Sequence, residues 1–135
     1  MAVAFTFCYT SGMHDTLTLT KAELRRMMRQ RRAALPSGEA AEAAQEFTQH
    51  ALRYLKHRTP SSIGGYAPSF GEINILPLME QLAKAGWQLA LPRIDDAGVS
   101  MDFRLWSPAQ PLTAQHYGIP APAGSAPILV PDVLL

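Results

Sequence analysis

The apolar positions between Leu19 and Leu35 recur at helical spacing, and the polar residues around them set the ends of an element. In TKAELRRMMRQRRAAL, Thr20 is placed to cap a helix, Glu23 completes a capping box, and Pro36 stops the run. Leu24, Met28 and Leu35 supply much of its apolar side. A second helix is expected over SGEAAEAAQEFTQHALRYLKHR, capped by Ser37, with acidic residues in its first turn and Arg53, Lys56 and Arg58 near its end. Ala40, Ala44, Phe47, Ala51, Tyr54 and Leu55 keep the helical period. After Thr59-Pro60 the pattern changes, and SSIGGYAP reads as a short strand running into a turn. NILPLMEQLAKAG reads as a third helix, with Asn74 as cap, Pro77 in the first turn and Gly86 at the C′ position. Its buried stripe is Ile75, Leu78, Met79 and Leu82. WQLALP and SMDFRLW follow as strands around an Asp-Asp-Ala-Gly turn. Residues 107–127, rich in Pro, Ala and Gly, are expected to form an ordered but irregular connection. ILVPDVLL holds the next strand, expected from Asp132 through Leu135 and onward.

Strand, helix, strand and then further strands is an α/β order with at least partly parallel pairing. At 135 residues the chain is one domain's worth, and 47% hydrophobic with 17% charged residues is an ordinary globular balance. The net charge of +1 gives no bulk nucleic-acid signature, so any argument from charge must be local. A single cysteine, Cys8, rules out an internal disulfide framework and a multi-cysteine metal site. The start has no basic n-region, and no stretch approaches the roughly 18 apolar residues of a membrane span. The expectation is a cytoplasmic protein that contacts neither membrane nor nucleic acid. Convincing periodicity begins only after Leu17. Residues 1–17 are therefore expected to be a disordered or spurious extension, with Met13 an alternative start to Met1, and residues 18–135 a single domain.

Charge is concentrated on the first helix. Lys21, Arg25, Arg26, Arg29, Arg31 and Arg32 are six of the twelve Lys and Arg residues. At about 100° per residue, Lys21, Arg25, Arg29 and Arg32 share one narrow arc. Such a stripe is either a solvated face or a site for phosphate, whose oxygens suit the Arg fork. The four histidines, His14, His50, His57 and His116, have no metal-ligand spacing. Cys8 lies in the expected extension and is not read as a nucleophile. There is no Walker A loop and no GxGxxG, and the Gly pair of IGGYAP reads more readily as a turn than as a phosphate cradle. GYAPSFGEIN places an aromatic at a strand end, then a tight loop, then Glu72 just before a helix. Loops at the carboxyl ends of strands are where α/β proteins hold ligands, and an aromatic face beside a carboxylate suits a flat heterocycle with N–H donors. The plainer alternative makes Tyr66 a core residue and Glu72 a dipole partner of the helix.

Taken in order, KAELRRMMRQRR, YAPSFGEINILPLMEQLAKAGWQLALPRI, SMDFRLW, HYGIPAP and the beginning of VPDVLL resemble the 5-formyltetrahydrofolate cyclo-ligase (methenyltetrahydrofolate synthetase) family. The resemblance covers nearly everything from Lys21 to Leu135. It implies a three-layer α/β fold with a mixed, mostly parallel sheet flanked by helices, of the type shared with NagB, RpiA and CoA transferases. It also implies an ATP- and Mg2+-dependent ligase that converts 5-formyltetrahydrofolate to 5,10-methenyltetrahydrofolate. By position, Lys21 and Arg25 resemble the family's phosphate-binding pair for ATP. Tyr66, Glu72, Met101, Phe103 and Tyr117 resemble its folate-binding residues, and Arg93 is a weaker candidate for a polar ligand contact. Arg26, Arg29, Arg31 and Arg32 have no counterpart role and are left as surface charge. The family's glycine-rich ATP loop, of the RLGxGxGYYD type, has no match here. The fold is therefore expected to be incomplete at its carboxyl end and the chain impaired in catalysis, as a monomer or weak dimer. A non-catalytic folate- or nucleotide-binding remnant, or an interaction module, is the alternative. DNA binding through the arginine-rich helix is the least supported, because no stacking platform or recognition motif accompanies it.

Overall fold

The computed structural model describes residues 19–135; the expected extension over residues 1–17, with Cys8 and His14, lies outside them. Helix α1 spans Lys21–Ala33. The Glu23 amide donates to Thr20 Oγ1 and the Thr20 amide donates to the Glu23 carboxylate at 2.8 Å, so the capping box read from the sequence is present. Helix α2 spans Ser37–Leu55. Its N-cap is Pro36, with no side-chain cap bond, so Ser37 is the first helical residue and not the cap. Pro36 holds an extended ψ of 140° directly before the helix, which leaves Ser37 inside the first turn.

Strand β1, Ser62–Gly64, is followed by helix α3, Leu76–Lys84. The N-cap position falls on Ile75, but the Asn74 side chain still accepts from the Leu76 amide at 3.1 Å, and Pro77 sits in the first turn. Strand β2, Gln88–Ile94, returns antiparallel into β3, Met101–Trp106, through a turn tied by Asp95 to the Val99 amide and the Ser100 hydroxyl. The stretch expected to be irregular carries two short strands, β4 Thr113–Ala114 and β5 Pro120–Ala121, paired antiparallel around a turn of 3-10 helix. Strand β6, Val133–Leu134, closes the described fold.

The main sheet runs β3-β2-β1-β6, with β1 parallel to both β2 and β6 and β2 antiparallel to β3. This is the mixed, mostly parallel sheet with helices that the sequence led us to expect. One face carries Ile63, Leu89, Leu91 and Trp106 against α3, whose Leu78, Met79 and Leu82, with Ile75 at its N-cap, are all at or near zero exposure. Leu55 extends the same cluster from α2. Tyr54, also at helical spacing, is 73% exposed.

The Gly64-Gly65 pair is explained by what presses on it from each side. A Cβ at Gly65 would stand 2.9 Å from Ile75 Cδ1 and 3.0 Å from Met79 Sδ, so α3 packs on bare backbone there. A Cβ at Gly64 would stand 2.8–2.9 Å from Leu134, Phe103 and Pro131 on the opposite face. The β6 register is fixed by reciprocal bonds: Ser62 Oγ donates to Asp132 Oδ2 at 2.6 Å, and the Asp132 amide donates back to Ser62 Oγ at 3.0 Å. The Ser62 hydroxyl first, and then the Ser62 amide at 3.2 Å, donate to the Asp132 carboxylate and hold it below its ordinary value.

Candidate functional site

The carboxyl end of β1 opens into the loop at 66–75, and α1 lies against that loop. Gly71, at φ +73°, would place a Cβ 3.1 Å from Arg32 Cβ, so glycine lets the end of α1 approach. Arg32 Nε donates to the Phe70 carbonyl at 3.4 Å. Between helix and loop is a cleft of about 710 Å3, walled by Leu24, Arg25, Met28, Arg29 and Arg32 on one side and by Ser69, Phe70 and Glu72 on the other. Tyr117 and Ile119, from the β4–β5 connection, form the third wall. A recess of about 400 Å3 continues beside it, with Tyr66, Ala67, Ile73 and Pro92 on its walls. Glu72 lines both spaces.

The side chains in this place divide into tethers and open groups. The Tyr66 hydroxyl donates to the Ile73 carbonyl at 3.0 Å, and its pKa is raised, first by burial and then by the charge of Glu72. It stays a protonated donor, with its ring facing the recess. Glu72 accepts from the Ser69 amide at 3.1 Å through Oε2 alone. Its Oε1 has no described donor. Among the described residues, no carboxylate lies within ion-pair distance of any of the six cations of α1, since the ion pairs found are Arg93–Asp96 and Arg104–Asp102. The cleft therefore sets several uncompensated guanidinium groups opposite one carboxylate. That arrangement receives an anion at one side and N–H donors at the other.

The structure brings together Arg25, Glu72 and Tyr117 around the cleft and Tyr66 around the recess. Lys21 lies one turn before Arg25 on the same helix and does not line the cleft. Phe103 lies on the sheet face with its pair partner Pro92, against Gly64, and Met101 is 61% exposed at the start of β3; neither lines the cleft or the recess. Arg93 is turned to a different task, donating to the Pro122 carbonyl and to Asp96 at 3.0 Å each. The residues passed over in the sequence are Arg29, Arg32 and Phe70. The shared arc of Arg25, Arg29 and Arg32 was the available signal for the first two.

Among the described residues, no group of three or more His, Cys, Asp or Glu converges as a metal site. Among the described residues, Glu72 is the one carboxylate of the cleft wall. The described residues thus do not make up a magnesium site, and no step is assigned to a metal here.

The fold and the cleft define an α/β domain with a cationic, aromatic-walled cleft at the carboxyl end of its central strand. A sequence model described as the 5-formyltetrahydrofolate cyclo-ligase family matches residues 18–131. The chain belongs to that family. Among solved structures it is similar to the 5,10-methenyltetrahydrofolate synthetase of Aquifex aeolicus, with a TM-score of 0.69 and 21% identity over 84% of this chain and 58% of that one. It is also similar to the 5,10-methenyltetrahydrofolate synthetase of Mycoplasma pneumoniae, with a TM-score of 0.58 and 22% identity over 65% of this chain and 54% of that one. The chain thus spans a little over half the length of these solved relatives. No curated protein matches it. No helix among the described residues is long and apolar enough to cross a membrane.

Proposed function

We propose that this chain carries the substrate-binding cleft of the cyclo-ligase reaction, in which 5-formyltetrahydrofolate is closed to 5,10-methenyltetrahydrofolate with ATP as co-substrate and magnesium accompanying the nucleotide. The observation that carries the reading is the convergence of Arg25, Arg29 and Arg32 with Glu72 and Tyr117 on one cleft. The chemistry explains why such a cleft is needed. The oxygen of an N-formyl group is a poor leaving group. Transfer of the γ-phosphoryl group of ATP to that oxygen, with release of ADP, makes it a good one. The N10 nitrogen then attacks the formyl carbon, the C–O bond breaks with loss of phosphate, and the N10 proton is released. Little covalent work falls to the protein, so positioning and charge neutralisation dominate.

In this reading Arg25, with Lys21 one turn earlier, holds phosphate oxygens, while the open Oε1 of Glu72 accepts from the N–H groups of the pterin. The ring of Tyr66 packs beside that heterocycle, fixed by its bond to Ile73. Tyr117 closes the other wall. Met101, Phe103 and Arg93 stand in this reading as sheet and strap residues, not as ligand contacts. The test is calorimetric titration with 5-formyltetrahydrofolate, run beside an absorbance assay for the methenyl product with ATP and magnesium. Binding that weakens at least tenfold in Glu72→Gln, in line with the loss of a charge-assisted bond, is the expected result. A wild-type chain that gives neither heat nor product would overturn the reading.

A further inference from the structure

Two aromatics of the cleft wall hold a left-handed backbone, Tyr117 at φ +61° and Phe70. Phe70 is a bulky residue at φ +52°, a left-handed conformation that side chains of its kind rarely adopt. The ring is not spent on the core, because Phe70 is 56% exposed at the cleft wall. Its backbone is held there from the helix side, where Arg32 Nε donates to its carbonyl. The Arg29 guanidinium lies over its ring, 5.8 Å from the centroid. Arg25 is one helical turn from Arg29 on the same wall and has no carboxylate partner among the described residues. A strained aromatic, backed by one guanidinium and followed at about 6 Å by a second, matches a flat ring that carries an anionic tail.

We propose that Phe70 and Arg29 form a ring-and-anion subsite, in which a planar aromatic ring of the ligand stacks on the Phe70–Arg29 platform and its anionic tail runs to Arg25. For the ligand's identity this deepens the folate and nucleotide reading above. Two sources share the chemistry: the aminobenzoyl ring of a folate with its glutamate carboxylates, and the adenine of ATP with its phosphates. Packing and stacking separate cleanly at Phe70, since leucine keeps apolar bulk but loses the π face.

The full chain is titrated by calorimetry with 4-aminobenzoyl-L-glutamate and, separately, with ATP. The wild type is compared with Phe70→Leu, Phe70→Tyr and Arg29→Gln, each checked for folding by circular dichroism. Phe70→Leu is expected to weaken one of the two probes about three- to tenfold, the range for loss of an aromatic pair. Phe70→Tyr retains wild-type affinity. Arg29→Gln weakens the same probe and flattens its salt dependence. The affected probe names the source: the aminobenzoyl fragment if the subsite is folate's, ATP if it is the nucleotide's. Equal affinities in wild type, Phe70→Leu and Arg29→Gln, or no binding of either probe to the wild type, would overturn the subsite. Failure of 5-formyltetrahydrofolate alone to bind, with the ATP pattern intact, would remove the folate reading and leave the subsite standing.

Discussion

Helices α1 and α3 are both amphipathic in sequence, yet they serve opposite purposes. The shorter, α3, buries Leu78, Met79 and Leu82 and rests on the bare backbone of Gly65. The longer, α1, has no buried residue, and Leu24 and Met28 on its apolar side stay 44% and 37% exposed. What holds α1 locally is its capping box. What ties it to the domain is Arg32 with the Phe70–Gly71 loop. The difference shows that helical spacing reveals a face but not what the face looks at. In α3 the face looks at the core. In α1 it looks into a cleft, where the proposed ligand would meet exposed apolar and cationic side chains.

The comparison breaks most readily at the core positions. Leu78→Ala on α3 should destabilise the fold by about 2–5 kcal/mol in denaturant titration, whereas Leu24→Ala on α1 should stay within about 0.5 kcal/mol. Equal losses would mean that α1 is core after all. The docking glycines give a smaller contrast. Gly65→Ala forces a methyl against Ile75 and Met79 and should lower global stability by about 1–3 kcal/mol. Gly71→Ala is strained by roughly 1–2 kcal/mol at its left-handed φ, and its main effect should be on ligand affinity as α1 shifts off the loop. A mutant at Gly71 that binds like the wild type would contradict that division.

Smaller still is the cap of α1. Thr20→Ala should weaken the helix by about 1 kcal/mol, read as faster amide exchange over Glu23 and Leu24 with the global midpoint unchanged. The least effect, and the one that titrates, belongs to Glu23. Thr20 donors, the backbone amide first, lower its pKa below the ordinary 4.5. A carboxyl depressed in the folded state stabilises fully above its unfolded value, and that contribution fades as pH falls through the folded value. Below about pH 4.5 the start of α1 should therefore fray progressively, while the start of α3, where the non-titrating carboxamide oxygen of Asn74 accepts from the Leu76 amide, should not respond. Amide shifts of both helices, followed by NMR from pH 6 to pH 3, check this. Parallel shifts in the two would refute it.

The sequence carried the helices and most strands because their signals are local. Ile75, Leu78, Met79 and Leu82 had to be a stripe on α3, and the cap of α1 was spelled out by Thr20 and Glu23. The pairing of β1 with β6 was not legible. It depends on Ser62 and Asp132, 70 residues apart, and on Gly64 leaving room for Pro131 and Leu134. The pair β4–β5 escaped because two-residue strands with a proline carry almost no propensity signal. For the site, position along the family pattern drew Arg25, Tyr66, Glu72 and Tyr117 to adjoining spaces. Arg29, Arg32 and Phe70 were passed over because their roles arise from the meeting of α1 with a loop some forty residues on. The left-handed backbone of Phe70 is a tertiary fact with no local code.

The central claim is that α1 is a ligand wall and α3 a structural support. Hydrogen exchange with and without 5-formyltetrahydrofolate and ATP puts it to the most direct test. The account requires that ligand slow exchange across Lys21–Ala33 and across residues 69–72, with α3 unchanged. Ligand binding that leaves α1 as exposed as before, or protects α3 instead, would contradict it.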